Sequence, residues 1–193
     1  MDHPATIQVR TPERIANWRP LVQWILAIPH LIIANALETV AAAVAVISWF
    51  AILFTGRLPS GLADFQAMIV RYSSRAELYA LFLHDEFPPF DFTTSAAEPG
   101  GSPVDVAFRP ALENRNRLTV GLRILWVIPA AVYAIAVAIV GIVCWFLSFF
   151  AVLFTGRWPA GLRSWVMKLL RVWIRVSAYA LLLTDDYPPF ATD

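Results

Sequence analysis

Positions 54 to 57 read Phe-Thr-Gly-Arg, and positions 154 to 157 read the same four residues. A long apolar run precedes each, and Pro-x-Gly-Leu follows each, as Pro59, Gly61, Leu62 and as Pro159, Gly161, Leu162. The match continues in register through Arg71, Arg75 and Arg171, Arg175, then Tyr79-Ala80-Leu81 and Tyr179-Ala180-Leu181. Asp85 matches Asp185, and Pro88-Pro89-Phe90 matches Pro188-Pro189-Phe190. Ungapped agreement over this length marks a tandem duplication, so the fold is one unit used twice. Residues kept in both copies are those the unit needs or a task the copies share.

Hydrophobic residues make up 59% of the chain and charged ones only 15%, against roughly a quarter charged in soluble domains. Leu21 to Phe54 contains one charge, Glu38, and Leu118 to Phe154 one, Arg123. Both exceed the roughly 20 apolar residues that cross a hydrocarbon core, so we expect both to insert. Met1 to Arg19 is polar and has no apolar region before a small-residue site, which predicts no cleavable signal peptide. Trp18 and Trp24 read as anchors at the headgroup level. A net charge of +1 gives no case for nucleic acid. Cys144 stands alone, which excludes a disulfide framework within the chain.

As a single helix, Leu21 to Phe54 would measure about 50 Å against a core of about 30 Å. It must tilt or bend, at Pro29 or at the polar Asn35 to Thr39 region. If each apolar run crosses once, the basic residues divide about evenly between the two sides, against the positive-inside tendency. If each returns as a hairpin, every Lys and Arg faces one side. The second run has no turn signal beyond Gly141, and one long tilted helix fits it equally.

Gly61 to His84 reads as an amphipathic helix lying in the membrane interface, with Arg71 and Arg75 on one face. Lys168, Arg171 and Arg175 share the corresponding face of the second copy. These five are candidates for contact with lipid headgroups. Paired prolines then end each helix in an extended Pro-Pro-Phe segment. The expected fold is thus an all-α integral membrane protein of two tandem repeats, each a membrane hairpin or long tilted helix, an interfacial helix and that extended segment. Residues 1–92 form the first unit, 93–108 a flexible Ala/Ser/Gly/Pro linker, and 109–193 the second unit.

The order of apolar run, Phe-Thr-Gly-Arg-x-Pro-x-Gly-Leu, Arg-bearing helix and Asp-x-(Phe/Tyr)-Pro-Pro-Phe resembles a family of bacterial membrane proteins catalogued as domain of unknown function 4389. The resemblance covers about residues 10–92 and 109–192. It implies a bacterial plasma (inner) membrane protein and brings no activity, cofactor or ligand with it.

Candidate residues follow from their chemistry. Arg57 and Arg157 sit after Thr-Gly in a loop at the membrane edge. There a guanidinium either contacts a lipid phosphate or pins a carboxylate. Asp85 and Asp185, at helix C-termini, want a cation, so we expect Arg57 to pair with Asp85 and Arg157 with Asp185. Asn35 and Glu38 interrupt an apolar run and have Ile135 and Ala138 as counterparts, which points to contact with a partner helix, or to neutralisation by protonation, rather than to a symmetrical pathway. Phe90 and Phe190 are partner-contact candidates, with Ala41, Ala42, Ala43 and Ala45 as a small-residue face. His3, His30 and His84 have no second-copy equivalents, and no metal or cofactor is expected. The acids at Asp85-Glu86 diverge by about 100° on a helix, and no Ser/His/Asp order or nucleotide loop is present. We expect a non-enzymatic membrane protein, an accessory or scaffold subunit of a larger complex or a homo-oligomer, its basic segments cytoplasmic. The alternative is an anionic-lipid-binding or lipid-transport-assisting protein.

Overall fold

The structure, a computed structural model, describes residues 3–192. Its elements in order are β1 (Ala5–Val9), α1 (Arg19–Leu26), α2 (Ile28–Thr55), α3 (Ser60–Ala80), β2 (Val104–Phe108), α4 (Arg117–Gly121), α5 (Arg123–Thr155) and α6 (Ala160–Ala180).

The two apolar runs do not turn back on themselves. Ala27 N–H donates to Gln23 and Leu31 N–H to Ala27, so α1 leads into α2 with helical hydrogen bonds across the junction. Pro29 falls in the first turn of α2, where the missing donor costs little. The polar Asn35 to Thr39 stretch stays helical, and the Thr39 hydroxyl is satisfied by donating to the Asn35 carbonyl one turn back. α5 contains Pro129 and remains one helix. The hairpin expectation is therefore corrected to one long helix per copy, about 42 Å for α2 and about 50 Å for α5.

Each long helix ends by the same device. The Thr55 and Thr155 hydroxyls donate back to Ala51 and Ala151, both at 2.6 Å. Gly56 and Gly156 take the left-handed conformation, at φ 73° and 66°, and their N–H groups close the last turn on Ile52 and Val152. Phe-Thr-Gly-Arg is thus a helix terminus followed by a sharp turn into α3 or α6, which runs back along α2 or α5. Packing is through one stripe: Ala34, Ala41, Ser48 and Ile52 in α2, and Ala134, Gly141, Cys144, Ser148 and Val152 in α5.

The chain is not all-α. β1 and β2 form an antiparallel ribbon with Ile7 opposite Val106. Ala5, Ile7, Val104, Val106 and Phe108 are buried beneath it, whereas Thr6, Gln8 and Ala107 face outward. The ribbon uses residues assigned above to the polar lead-in and the linker. Its alternation of apolar and polar residues is that of a strand with one covered face.

The strands stand at equivalent places in the two repeats, and they exchange. β1 packs on α6 of the second copy and β2 on α3 of the first. Further contacts are reciprocal at the same offset: Ile15 N–H donates to Gly156 and Arg115 N–H to Gly56. Such an exchange is the signature of a two-fold relation. Asn17 reaches Leu153 near the end of α5, and Trp49 near the end of α2 reaches Val120 just before α5 begins. The start of each long helical run therefore lies beside the end of the other, so α2 and α5 run antiparallel and the axis is perpendicular to them. The ribbon thus lies over α3 and α6, and α2 and α5 pack on α3 and α6 respectively.

Candidate functional site

Both repeats build a polar junction where the shorter helix ends, and they build it differently. At the ends of α3 and α6, Phe82 and Leu182 adopt left-handed backbone, at φ 48° and 65°. Leu83 and Leu183 N–H groups then close onto Leu78 and Ala178, which leaves carbonyls of the last turn without helical partners. In the first copy the buried Gln23 side chain donates to Tyr79 at 2.8 Å and to His84 at 2.6 Å. In the second copy Arg123 stands at the same position and donates to Tyr179 at 3.3 Å and to Thr184 at 2.9 Å.

Arg123 brings a charge into a buried place, and Asp185 answers it. Its carboxylate accepts from Arg123 and takes a bidentate pair from Arg115, both bonds at 2.6 Å. The Arg123 guanidinium also lies 3.9 Å from the Tyr179 ring centre. Asp185 does not pair with Arg157, nor Asp85 with Arg57. The reason is length: Arg57 precedes α3 and Asp85 follows it, which separates them by about 30 Å of helix. Arg57 and Arg157 are exposed, and the Asp85 carboxylate forms no ion pair among the described residues. Its carbonyl accepts from Arg19 at 2.8 Å.

Arg71 and Arg75 are also placed differently from expectation. They are 2% and 1% exposed, so they do not reach headgroups. Arg71 meets Glu98 at 3.0 Å and donates to Ser95 and Ala96. Arg75 meets the same Glu98 and, at 3.3 Å, Asp91. The segment between the repeats supplies these carboxylates and covers α3, so α3 is a central helix and not an interfacial one. In the second copy Lys168, Arg171 and Arg175 are half-buried. Lys168 sits 4.5 Å from the Trp165 ring centre, and Arg175 reaches the Ala191 carbonyl.

Phe90 stacks on His30 at 4.0 Å and Phe190 meets Tyr133 edge-on at 5.4 Å. Both still expose more than half their surface. Asn35 and Glu38 are exposed on α2, and Glu38 borders a cleft that the sequence does not announce. The cleft, about 270 Å³, lies among α2, α3 and α6 and is lined by Glu38, Ser73, Glu77, Trp173 and Ser177 with small apolar neighbours. On α3, Ser73 and Glu77 point away from Arg71 and Arg75, since two residues of helix turn the chain by about 200°. The cleft therefore opens on the side opposite the ribbon. Ser73, Glu77, Trp173 and Ser177 include equivalent positions of both copies, which places the cleft beside the two-fold axis.

Glu77 is held there without a cation. Burial, and secondly the charge of Glu38, push its carboxyl from an ordinary 4.5 up to about 7. The Ser73 hydroxyl is buried and has no hydrogen-bond partner. His84, at the junction below, is driven the other way by burial, from 6.5 to about 4. Among the described residues no group of three or more His, Cys, Asp or Glu is arranged to hold a metal ion.

Sequence reasoning named Glu38 and missed Glu77, Ser73, Asp91, Glu98 and Arg115. A helical projection carries a signal for Glu77, which falls on the face of α3 opposite its arginines. Nothing local marks Glu98 as their partner.

No curated protein and no solved structure matches the chain. The sequence profile of a family described as Domain of unknown function (DUF4389) matches it over residues 17–91 and again over 117–192. The two matches fall on the two copies of the α1–α3 and α4–α6 unit, and the chain belongs to that family twice over.

Proposed function

We propose that this protein is a membrane-embedded, non-enzymatic platform for a larger assembly, lying in one leaflet with α2 and α5 parallel to the membrane plane. One observation carries this: two antiparallel apolar helices related by a two-fold axis, each packed on its own shorter helix, and a polar ribbon lying on that axis. Both helices are long and apolar enough to cross a membrane, and only 17% and 28% of their most apolar windows are buried. They are thus unlike core helices of a water-soluble domain, and Phe54 and Phe154, 76% and 77% exposed, face outward in both copies.

Upright helices would put the two-fold axis in the membrane plane, and the ribbon on that axis at mid-bilayer. Thr6 and Gln8 would then face hydrocarbon, where unsatisfied polar groups each cost several kcal/mol. An axis along the normal puts the ribbon in water and both apolar faces in one leaflet. It also gives the two copies one orientation, in keeping with the positive-inside tendency. We propose the bacterial inner membrane, with the ribbon cytoplasmic. The half-exposed Phe90 and Phe190 are the surfaces offered to other subunits.

One observation favours a second role, contact with anionic lipid. At one end of α2 the exposed Arg57 follows Gly56, whose Cα faces the Arg117 side chain. At the opposite corner Arg157 and Arg163 share a depression with Trp158 and a single acid, Glu13. Two basic corners at the rim of an apolar face suit phosphate headgroups.

Nitroxide labels at Ile32, Ile47 and Phe54, introduced singly as cysteines on a Cys144→Ser background, test the orientation in vesicles. The expected result is nearly equal depth at all three, with Thr6 open to aqueous quencher. A depth profile that passes through the bilayer centre overturns it.

A further inference from the structure

We propose that the cleft beside the two-fold axis binds an organic ammonium cation through Glu38, Glu77 and Trp173. The chemistry of the walls selects the charge. Two carboxylates face the space and, among the described residues, neither forms an ion pair. An acid desolvated in this way gains most from an entering cation, because the attraction acts in a medium less polar than water.

A second, independent feature points to a ligand. Ser73, 5% exposed, turns a hydroxyl without a partner to the cleft wall. An N–H donor from a primary ammonium suits an oxygen of this kind, since each ammonium hydrogen seeks an acceptor. Trp173 completes the set: half its surface is exposed, and indole is the strongest aromatic partner for a cation. Alkali ions prefer full oxygen shells, whereas an alkylammonium combines charge with carbon groups that Ala42, Ala180 and the indole can cover.

The cleft belongs to one side of the pseudo-symmetric pair. Glu38 and Glu77 have Ala138 and Ser177 as counterparts. On the α5 side, a methyl at Gly141 would already lie 2.7 Å from Leu169, so helix packing closes the space that stands open beside α2. Among the described residues the second copy therefore lacks the two acids of this site.

The ammonium could come from an amino-headgroup lipid or from a free amine. The lipid source rests on the membrane orientation proposed above; the cleft chemistry does not. The full chain in maltoside micelles is titrated by calorimetry with ethanolamine, and separately with mixed micelles containing phosphatidylethanolamine or phosphatidylglycerol. Glu77→Gln, Glu38→Gln and, as a control acid elsewhere, Asp85→Asn are compared with the natural chain. We expect saturable ethanolamine binding, weakened at least tenfold by Glu77→Gln, less by Glu38→Gln, and unchanged by Asp85→Asn. Phosphatidylethanolamine binding with the same variant dependence identifies the lipid as source; ethanolamine binding alone identifies a soluble amine and leaves the site intact. Absence of saturable binding by either, or binding indifferent to Glu77→Gln, overturns the proposal. Glu77→Gln removes a desolvated charge and keeps the side-chain shape, so loss of binding in that variant is not loss of fold; circular dichroism of each variant verifies this.

Discussion

The two repeats solve one problem with opposite chemistry. Where the shorter helix ends, the first copy buries Ile15 and neutral Gln23, leaving the Asp85 carboxylate in solvent; the second buries Arg115 and Arg123 and recruits Asp185. On α3 and α6 the assignment is reversed. Arg71 and Arg75 are sealed under Glu98 and Asp91, while Arg171 and Arg175 remain half-buried. Identity between copies therefore does not mean identity of role. Asp85 and Asp185 are kept in register, and among the described residues only the Asp185 carboxylate pairs with arginine.

The largest effect should fall on that pair. Asp185→Asn leaves two buried guanidinium groups short of their counter-charge, which should cost about 3 to 5 kcal/mol. Asp85→Asn should stay within about 0.5 kcal/mol. Equal losses in thermal or denaturant unfolding in micelles would break the distinction.

A smaller effect concerns the acids carried by the first copy alone. The folded carboxyl of Glu77 titrates near 7 and the unfolded one near 4.5, so the native state holds the extra proton between those values. Stability from this group is greatest below about pH 4.5 and declines as pH rises through 7, by about 3 kcal/mol in all. His84 slopes the other way, losing stability as pH falls below 6.5 towards 4. The measurement is the difference between the natural chain and Glu77→Gln across pH 4 to 8, which should widen in favour of Gln at the alkaline end. A flat difference would mean that Glu77 is already solvated.

The smallest contrast lies at the helix-ending glycines. Both are left-handed, so Ala costs about 1 kcal/mol at either. At Gly156 the new methyl would also lie 2.8 Å from Asn17 Oδ1 and 3.1 Å from the Ile15 carbonyl, whereas at Gly56 the nearest atom is the flexible Arg117 Nε at 3.4 Å. Gly156→Ala should therefore lose about 1 to 2 kcal/mol more, read by the same unfolding assay.

The duplication, the helices and their ends were legible because they are written locally. The repeated Thr-Gly carries its own hydrogen bonds, and the apolar runs exceed any ordinary soluble helix. The ribbon could have been found, since Ala5, Ile7, Val9 and Val104, Val106, Phe108 alternate with less buried neighbours over five residues each. Low complexity in the intervening segment hid the second strand. What could not be read was the direction of one repeat against the other. It is set by contacts such as Asn17 with Leu153, between residues far apart in sequence. The functions assigned to Arg71 and Arg75 failed with it, because an arginine stripe looks the same whether lipid or Glu98 lies opposite.

The exchanged strands make each half depend on the other. Each α3-type helix is covered in part by a strand that stands in the other copy, so a lone unit would lack that part of its cover. A single unit is therefore expected to gain that cover only by pairing with a second copy. Joined in one chain, the halves need not share one sequence, and Glu38 and Glu77 stand opposite Ala138 and Ser177.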